Sequence, residues 1–168
     1  QEPKRGPCPI GKIIEDAISF SRLEAKHQSA RIEMNLPDAL MSVVADPVLI
    51  EQVLMNLIKN GLEAMGHLPP EQKLIEIQVG QSAQFALVEV RDHGVGVPEE
   101  IRQRLFESFF TTKSDGMGMG LNICRTIIEY HQGQLWVEPA QGQGSVFKFT
   151  LPLAEDSVLA HINPPVME

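Results

Sequence analysis

GMGMGL, residues 116–121, is the most informative stretch of this chain. Glycines at alternate positions lack Cβ atoms, so their backbone can approach a polyphosphate closely. The apolar spacing of residues 121–131 predicts a helix, and the glycines therefore lead into a helix N-terminus, where backbone N–H groups favour anions. Alone, such a run is a weak indication of a nucleotide site, because many similar runs are tight turns.

Composition predicts a globular domain and narrows its class of partner. The 168 residues are 43% hydrophobic and 21% charged, which suits one domain with a sizeable core. The net charge of −8 argues against binding of nucleic acid and against direct contact with a membrane surface, because both need a basic face. The two cysteines, Cys8 and Cys124, form no disulfide framework, and they favour a cytoplasmic location.

The sequence predicts one domain at residues 10–153, between a linker at 1–9 and a loose tail at 154–168. Three of the first nine residues are prolines, and two more prolines interrupt the tail. Because the chain begins with Gln1 rather than Met, we expect it to be a piece of a longer protein.

Periodicity predicts alternating helices and hairpins. Helical spacing predicts helices at 10–29, with Leu23 on the buried face, at 47–65, with Asp46 as cap, and at 121–131. Strands are predicted at 31–36, 42–45, 74–79, 85–90, 134–137 and 146–151. This order favours an α/β (α+β) two-layer sandwich, in which a mixed β-sheet carries helices on one face.

Asn56 and Asn60 lie four residues apart in the second predicted helix and therefore share one face. An Asn amide offers an oxygen to a hard cation such as Mg²⁺ and an N–H group to a phosphate. The alternative is that both are ordinary polar residues on a solvent-facing helix surface.

Asp92, Gly94 and Gly96 directly follow a predicted strand. A carboxylate at a strand end can accept a hydrogen bond from an adenine amino group, and the glycines let a flat base lie against the backbone. The alternative is a simple turn that contains Asp. His93 is predicted to be a turn residue whose side chain points away from the nucleotide.

Two further stretches complete the pattern. In FFTTK, residues 109–113, the two Phe residues are suited to latching a lid, and the polar residues are suited to phosphate contacts. This stretch is not a Walker A loop, since no glycine precedes Lys113. Residues 142–145, GQGS, predict only a hairpin turn before the last strand.

In this order, N-x-x-x-N, D-x-G-x-G, F-F-T-T-K and G-x-G-x-G-L resemble the N, G1, F and G2 boxes of the sensor histidine kinase catalytic domain. That domain belongs to the GHKL superfamily, which has the Bergerat ATP-binding fold. The resemblance covers residues 10–153, and residues 109–136 are similar to the subgroup of oxygen-sensing nitrogen-fixation kinases and C4-dicarboxylate sensors. It implies ATP and Mg²⁺ as cofactors.

The resemblance also implies roles for individual residues. Asp92 would bind the adenine amino group in a base pocket shaped by Gly94 and Gly96. Asn60 would hold Mg²⁺, and Asn56 would lie beside it near the phosphates. The other implied ATP contacts come from the lid, its glycine hinge and the next helix: Thr111, Thr112, Lys113, Gly116, Gly118, Gly120 and Leu121. Together with the two Asn residues, Lys113 is an implied catalytic group.

The implied reaction transfers the γ-phosphoryl group of ATP to a histidine. None of the five histidines here lies in the phosphoacceptor motif of the family, so the implied acceptor is an upstream dimerisation domain outside this chain. Relay to a response regulator and a monomeric fragment are also implied. The chain departs from many sensor kinases after Asn60, where it reads GLEAM instead of A-x-K-Y.

Three alternatives remain open. A degenerate domain would serve only as a docking surface for proteins. A GHKL ATPase of the gyrase type would carry a glutamate at position 56 to activate water, whereas this chain has Asn56, which cannot take that proton. A serine kinase would share the pocket but would need no upstream histidine domain.

Overall fold

A five-stranded sheet and the helices packed on one of its faces form two layers. The computed structural model describes residues 4–37, 41–107 and 120–155. The helices are α1 (Ile10–His27), α2 (Pro47–Ala64), the single-turn α3 (Glu99–Arg102) and α4 (Gly120–Tyr130). Short 3₁₀ turns occupy Pro70–Gln72 and Gln103–Phe106.

The strands divide between two sheets. In chain order they are β1 (Gly6–Pro9), β2 (Arg31–Asn35), β3 (Ser42–Ala45), β4 (Leu74–Ser82), β5 (Phe85–Arg91), β6 (Leu135–Pro139) and β7 (Ser145–Pro152). The large sheet has the order β2-β4-β5-β7-β6, and β1 pairs with β3 in a separate two-stranded sheet. The β2–β4 pair is parallel, whereas the other pairs in the large sheet are antiparallel. The predicted mixed sheet with helices on one face is confirmed.

The helix α2 begins where local sequence signals predict it. The Asp46 side chain accepts a hydrogen bond from the Val48 N–H group, and Pro47 occupies the first turn, where a missing N–H group costs nothing. The buried face of α2 fills the centre of the core with Ile50, Val53, Leu54, Leu57, Ile58 and Leu62.

The buried face of α1 differs from the prediction at one residue. Leu23 is 67% exposed, while Ser21 and Ala25 are buried. At 3.6 residues per turn, Ser21 and Ala25 continue the line of Ile14, and Leu23 lies on the opposite side of the helix. The prediction of a buried Leu23 was therefore wrong, because its apolar character was weighed above its position in the helical period.

The first predicted boundary also needs correction. Gly6–Pro9, predicted as part of a linker, forms β1, and Cys8 is paired there with Val43 of β3. The pairing crosses a long stretch of sequence, so proline content near the chain start cannot reveal it. At the other end, Ala154 is buried and donates a backbone hydrogen bond to Ser42, while residues 156–168 of the predicted tail lie outside the described part of the chain.

In the described ranges, no helix combines the length and apolar character that crossing a membrane requires.

Candidate functional site

Asp92 lies at the end of β5 and faces the helical layer. Ala86, Val88 and Val90 are buried at alternate positions of this strand, and Asp92 continues the same alternation. Its backbone N–H group donates to the Ser145 carbonyl oxygen at 3.0 Å. The side chain is held as well, since its Oδ1 accepts from the Gly94 N–H group at 2.8 Å.

Burial gives the Asp92 carboxyl an unusual proton affinity. The residue is only 4% exposed. Desolvation raises the pKa of Asp92, and hydrogen bonds with the backbone at Gly94 and Ser145 offset the rise only in part. The chain thus keeps a carboxyl group in an apolar interior where its charged form is disfavoured, which is typical of a group retained for binding rather than for stability.

Two glycines let the backbone close around Asp92. A Cβ atom on Gly94 would lie 2.6 Å from the carbonyl oxygen of Ala64 in α2. A Cβ atom on Gly144 would lie 2.0 Å from the Asp92 carbonyl oxygen. The loop before β7, predicted only as a hairpin turn, is therefore a wall of the Asp92 site, and its motif carried no sequence signal for that role.

Gly61 is a further site residue that the sequence reasoning missed. A Cβ atom there would approach the Asp92 Cβ to 3.3 Å and Oδ2 to 3.8 Å, so α2 faces the Asp92 carboxylate through a residue without a side chain. The departure GLEAM begins at this residue, directly after Asn60. That adjacency was the available signal.

Asn56 and Asn60 are half-buried on α2, whereas Lys59 between them is exposed. A Cβ atom on Gly120, the first residue of α4, would lie 3.2 Å from Asn56 Oδ1. The structure thus brings Asn56 to the N-terminus of α4, where backbone N–H groups favour an anion. Leu121 follows in the first turn and packs against the core.

Cys124 joins α4 to α2 beneath this point. Burial raises the pKa of the Cys124 thiol to about 12, against a smaller opposing effect of its hydrogen bond with Asn56. The thiol stays protonated at neutral pH, so it is an inert core group.

The predicted lid contacts Thr111, Thr112, Lys113, Gly116 and Gly118 lie outside the described residues.

His93 and His131 lie within hydrogen-bond distance of neighbouring residues. His93 Nε2 lies 2.9 Å from the Glu76 carboxylate on β4, which agrees with a side chain that points away from the site. His131 Nε2 accepts from the Asp46 N–H group at 3.1 Å. His131 Nδ1 must therefore carry the proton that it donates to the Ile127 carbonyl oxygen at 2.7 Å. His131 is structural and ties the end of α4 to the start of α2.

No group of three or more His, Cys, Asp or Glu residues suited to a metal occurs within residues 4–37, 41–107 and 120–155. A cation at this site would depend on amide oxygens, such as that of Asn60, and on the phosphates of a ligand.

Residues 45–155 match the family described as histidine kinase-, DNA gyrase B-, and HSP90-like ATPase, and the chain belongs to this family. The match includes both Asn residues of α2, the Asp92 loop and the glycine run.

Similar proteins are sensor kinases. The sensor protein TdiS of Thauera aromatica is 39% identical over 90% of this chain and 28% of its own length. The C4-dicarboxylate transport sensor protein DctS of Rhodobacter capsulatus is 36% identical over 94% of this chain and 24% of its own. The sensor protein FixL of Bradyrhizobium diazoefficiens is 38% identical over 88% and 29%. The chain thus spans 24–29% of the length of these three relatives.

Solved structures agree. The nucleotide-free catalytic domain of histidine kinase ThkA superposes with a TM-score of 0.78 at 31% identity, over 89% of this chain and 95% of that one. ThkA in complex with the response regulator TrrA gives a TM-score of 0.76 at 29% identity, over 90% and 42%. The resemblance inferred from the four boxes is confirmed, including its subgroup, and the fold is that of histidine kinase ATP-binding domains.

Proposed function

We propose that this chain is the ATP-binding catalytic domain of a two-component sensor histidine kinase. It binds ATP with Mg²⁺ and transfers the γ-phosphoryl group to a histidine on an upstream dimerisation domain. The phosphoryl group then passes to a response regulator. Family membership supports ATP binding, and the sensor kinases similar to this chain support the class of reaction.

The observation that carries the proposal is the buried carboxyl of Asp92. Oδ1 accepts a hydrogen bond from the Gly94 N–H group, and Oδ2 lies close to Gly61 of α2, where no side chain separates the helix from the carboxyl group. An adenine amino group can donate to this carboxylate, whereas the carbonyl oxygen of guanine at the same position would repel it. The buried Asp92 carboxylate, as a hydrogen-bond acceptor, therefore accounts for specificity for adenine.

The residues on α2 fit a magnesium–phosphate group by their chemistry. Asn60 supplies a hard amide oxygen, and Mg²⁺ commonly takes only one or two protein ligands beside phosphates and water. The ion would neutralise the phosphate charge that develops during transfer. Asn56 and the first N–H groups of α4 would orient the phosphates, because they meet at Gly120. Thr111, Thr112, Lys113, Gly116 and Gly118 are proposed to contribute from the lid.

Asn56 also favours transfer over hydrolysis. An amide cannot accept a proton from water, so this position offers no general base of the kind that a glutamate supplies. Transfer to an imidazole proceeds through a loose transition state and depends mainly on positioning and charge neutralisation. We expect the isolated chain to hydrolyse ATP poorly.

The proposed partners are the dimerisation domain of the parent kinase, which supplies the acceptor histidine, and a response regulator. We expect the isolated chain to be monomeric and to work in the cytoplasm, where ATP is available.

Phosphotransfer to a histidine tests the proposal. The chain is mixed with the parent's dimerisation domain and ATP labelled at the γ-phosphate. The expected product is a phosphoprotein that is labile in acid and stable in alkali, as a phosphohistidine is. An acid-stable, alkali-labile product would indicate a serine kinase instead. Rapid release of inorganic phosphate by the chain alone would favour an ATPase.

Asn60→Asp tests the metal role separately. The substitution adds a charge next to the proposed ion, so the Mg²⁺ concentration that half-saturates ATP binding should shift, while ADP binding without Mg²⁺ should change little. An unaltered Mg²⁺ profile would refute the assigned role.

A further inference from the structure

β2 is an edge strand of the large sheet. Within the described ranges it pairs with β4 alone, which leaves its other backbone edge without a strand. Four of its five residues are exposed: Arg31, Glu33, Met34 and Asn35. An open edge of this kind can accept an additional strand, because it presents unpaired N–H and C=O groups in register.

A groove runs beside this edge. It measures about 740 Å³ and lies between β2 and the last turns of α1. Its apolar part consists of the buried Ala25 and the half-buried Ala30 and Ile32, and the exposed Met34 lies further along the strand. The groove is partly open to solvent, so it can admit an extended segment.

The groove is basic, although the chain carries a net charge of −8. Arg22, Lys26 and Arg31 line it, against the single carboxylate of Glu33. Arg31 pairs with Glu33 at 3.2 Å, but both side chains are 59% exposed, so this pair is weak. Arg22 and Lys26 are four residues apart on one side of α1, and neither forms an ion pair with another described residue.

We propose that the edge of β2 binds an extended acidic segment of a partner protein as a sixth strand. The segment's backbone pairs with β2, and its carboxylates meet Arg22, Lys26 and Arg31. Strand addition supplies affinity through backbone hydrogen bonds, and the cations select acidic sequences. This surface shares no residue with the nucleotide site and goes beyond the proposed kinase function.

Titration of the isotope-labelled chain with a short peptide, monitored by NMR, tests the proposal. The probe is Ac-Glu-Thr-Asp-Val-Glu-Thr-Asp-NH₂, and its counterpart carries Lys at every acidic position. We expect saturable shifts at residues 22–35 with the acidic peptide only, and weaker binding as the salt concentration rises. Failure to saturate below about 1 mM, or shifts confined to other surfaces, would overturn the proposal.

Charge reversal tests whether the peptide binds in this groove. Arg22→Glu combined with Lys26→Glu should weaken the peptide at least tenfold. Lys12→Glu combined with Arg125→Glu makes the same change in charge at two exposed residues outside the groove, and it should preserve binding. Equal loss in both variants would mean that only the overall charge matters, and the assignment to this groove would be wrong.

N-methylation of the peptide separates strand addition from simple charge attraction. Successive N–H groups of a strand point to opposite sides, so only one alternate set can face β2. Methylating that set should abolish binding, and methylating the other set should not. If methylating neither set affects binding, no strand is added and the proposal is wrong. The cations would then only protect the edge from aggregation.

Discussion

Asp92 and His131 are both buried titratable residues, yet they differ in how far hydrogen bonds compensate for their burial. His131 is 1% exposed and uses both ring nitrogens on backbone partners, one in α4 and one at the start of α2. Asp92 is 4% exposed, and burial disfavours its charge more than its backbone hydrogen bonds favour it. A buried polar group that forms all its hydrogen bonds within the protein stabilises the fold. A buried carboxyl group whose charged form is disfavoured is instead a candidate for binding a ligand.

Gly144→Ala should have the largest effect, because the added methyl group would collide with the backbone of Asp92. The new Cβ would lie 2.0 Å from the Asp92 carbonyl oxygen, and the residue has a φ of +113°. We expect a loss of about 2–5 kcal/mol in the free energy of unfolding, measured by urea denaturation, and a loss of ATP binding. Gly142→Ala is the matched control, since Gly142 has a φ of +84° but no atom within 4 Å of its Cβ position. Equal effects in the two variants would show that backbone strain alone is responsible.

His131→Ala should act on stability rather than on binding. It leaves the Asp46 N–H group without its buried acceptor and opens a cavity between α2 and α4, at a cost of about 2–4 kcal/mol. Denaturation measures this cost, and calorimetry at a temperature where the variant is folded should give nearly normal ADP affinity. The exposed His67, replaced by Ala, should change stability by less than about 0.5 kcal/mol. A variant that is stable but binds ADP poorly would reverse the proposed contrast.

Asp92→Asn should show the opposite pattern. We expect adenine nucleotides to bind more weakly by about 1–3 kcal/mol, as measured by titration calorimetry with ADP and ATP. The unfolding free energy at neutral pH should be equal or higher, because a neutral amide is easier to bury. Guanine nucleotides should bind poorly to both forms. Unchanged ADP affinity in the variant would remove Asp92 from the site.

The pH dependence of the unfolding free energy tests the same contrast between Asp92 and His131, and we expect this effect to be the smallest. Since the pKa of Asp92 is raised in the folded state, the folded chain binds its proton more tightly than the unfolded chain does. The contribution of this residue to stability therefore falls as pH rises from its ordinary value of 3.8 through the raised value. The difference in unfolding free energy between Asp92→Asn and the original chain should grow in favour of Asn across that range. A constant difference would mean that burial does not perturb Asp92.

Local signals predicted much of the fold. Asp46-Pro47 marked the start of α2, and alternation in the chain located the hairpin of β4 and β5. These features depend on neighbours in sequence, so periodicity and capping reveal them. The same local reasoning failed for β1, whose partner is the distant β3. It also failed for Leu23, because apolar character alone does not place a residue on the buried face.

The sequence by itself determined the two-layer architecture and the family. It also predicted the site residues Asn56, Asn60, Asp92, Gly94 and Gly96, because each lies in a short motif of characteristic chemistry. Only the tertiary structure decided that Gly61 and Gly144 border Asp92, that Gly120 meets Asn56 and that His131 joins two helices. The open edge of β2 was equally invisible. All of these depend on which distant segments approach one another, and close approach is a property of the folded chain that no local pattern encodes.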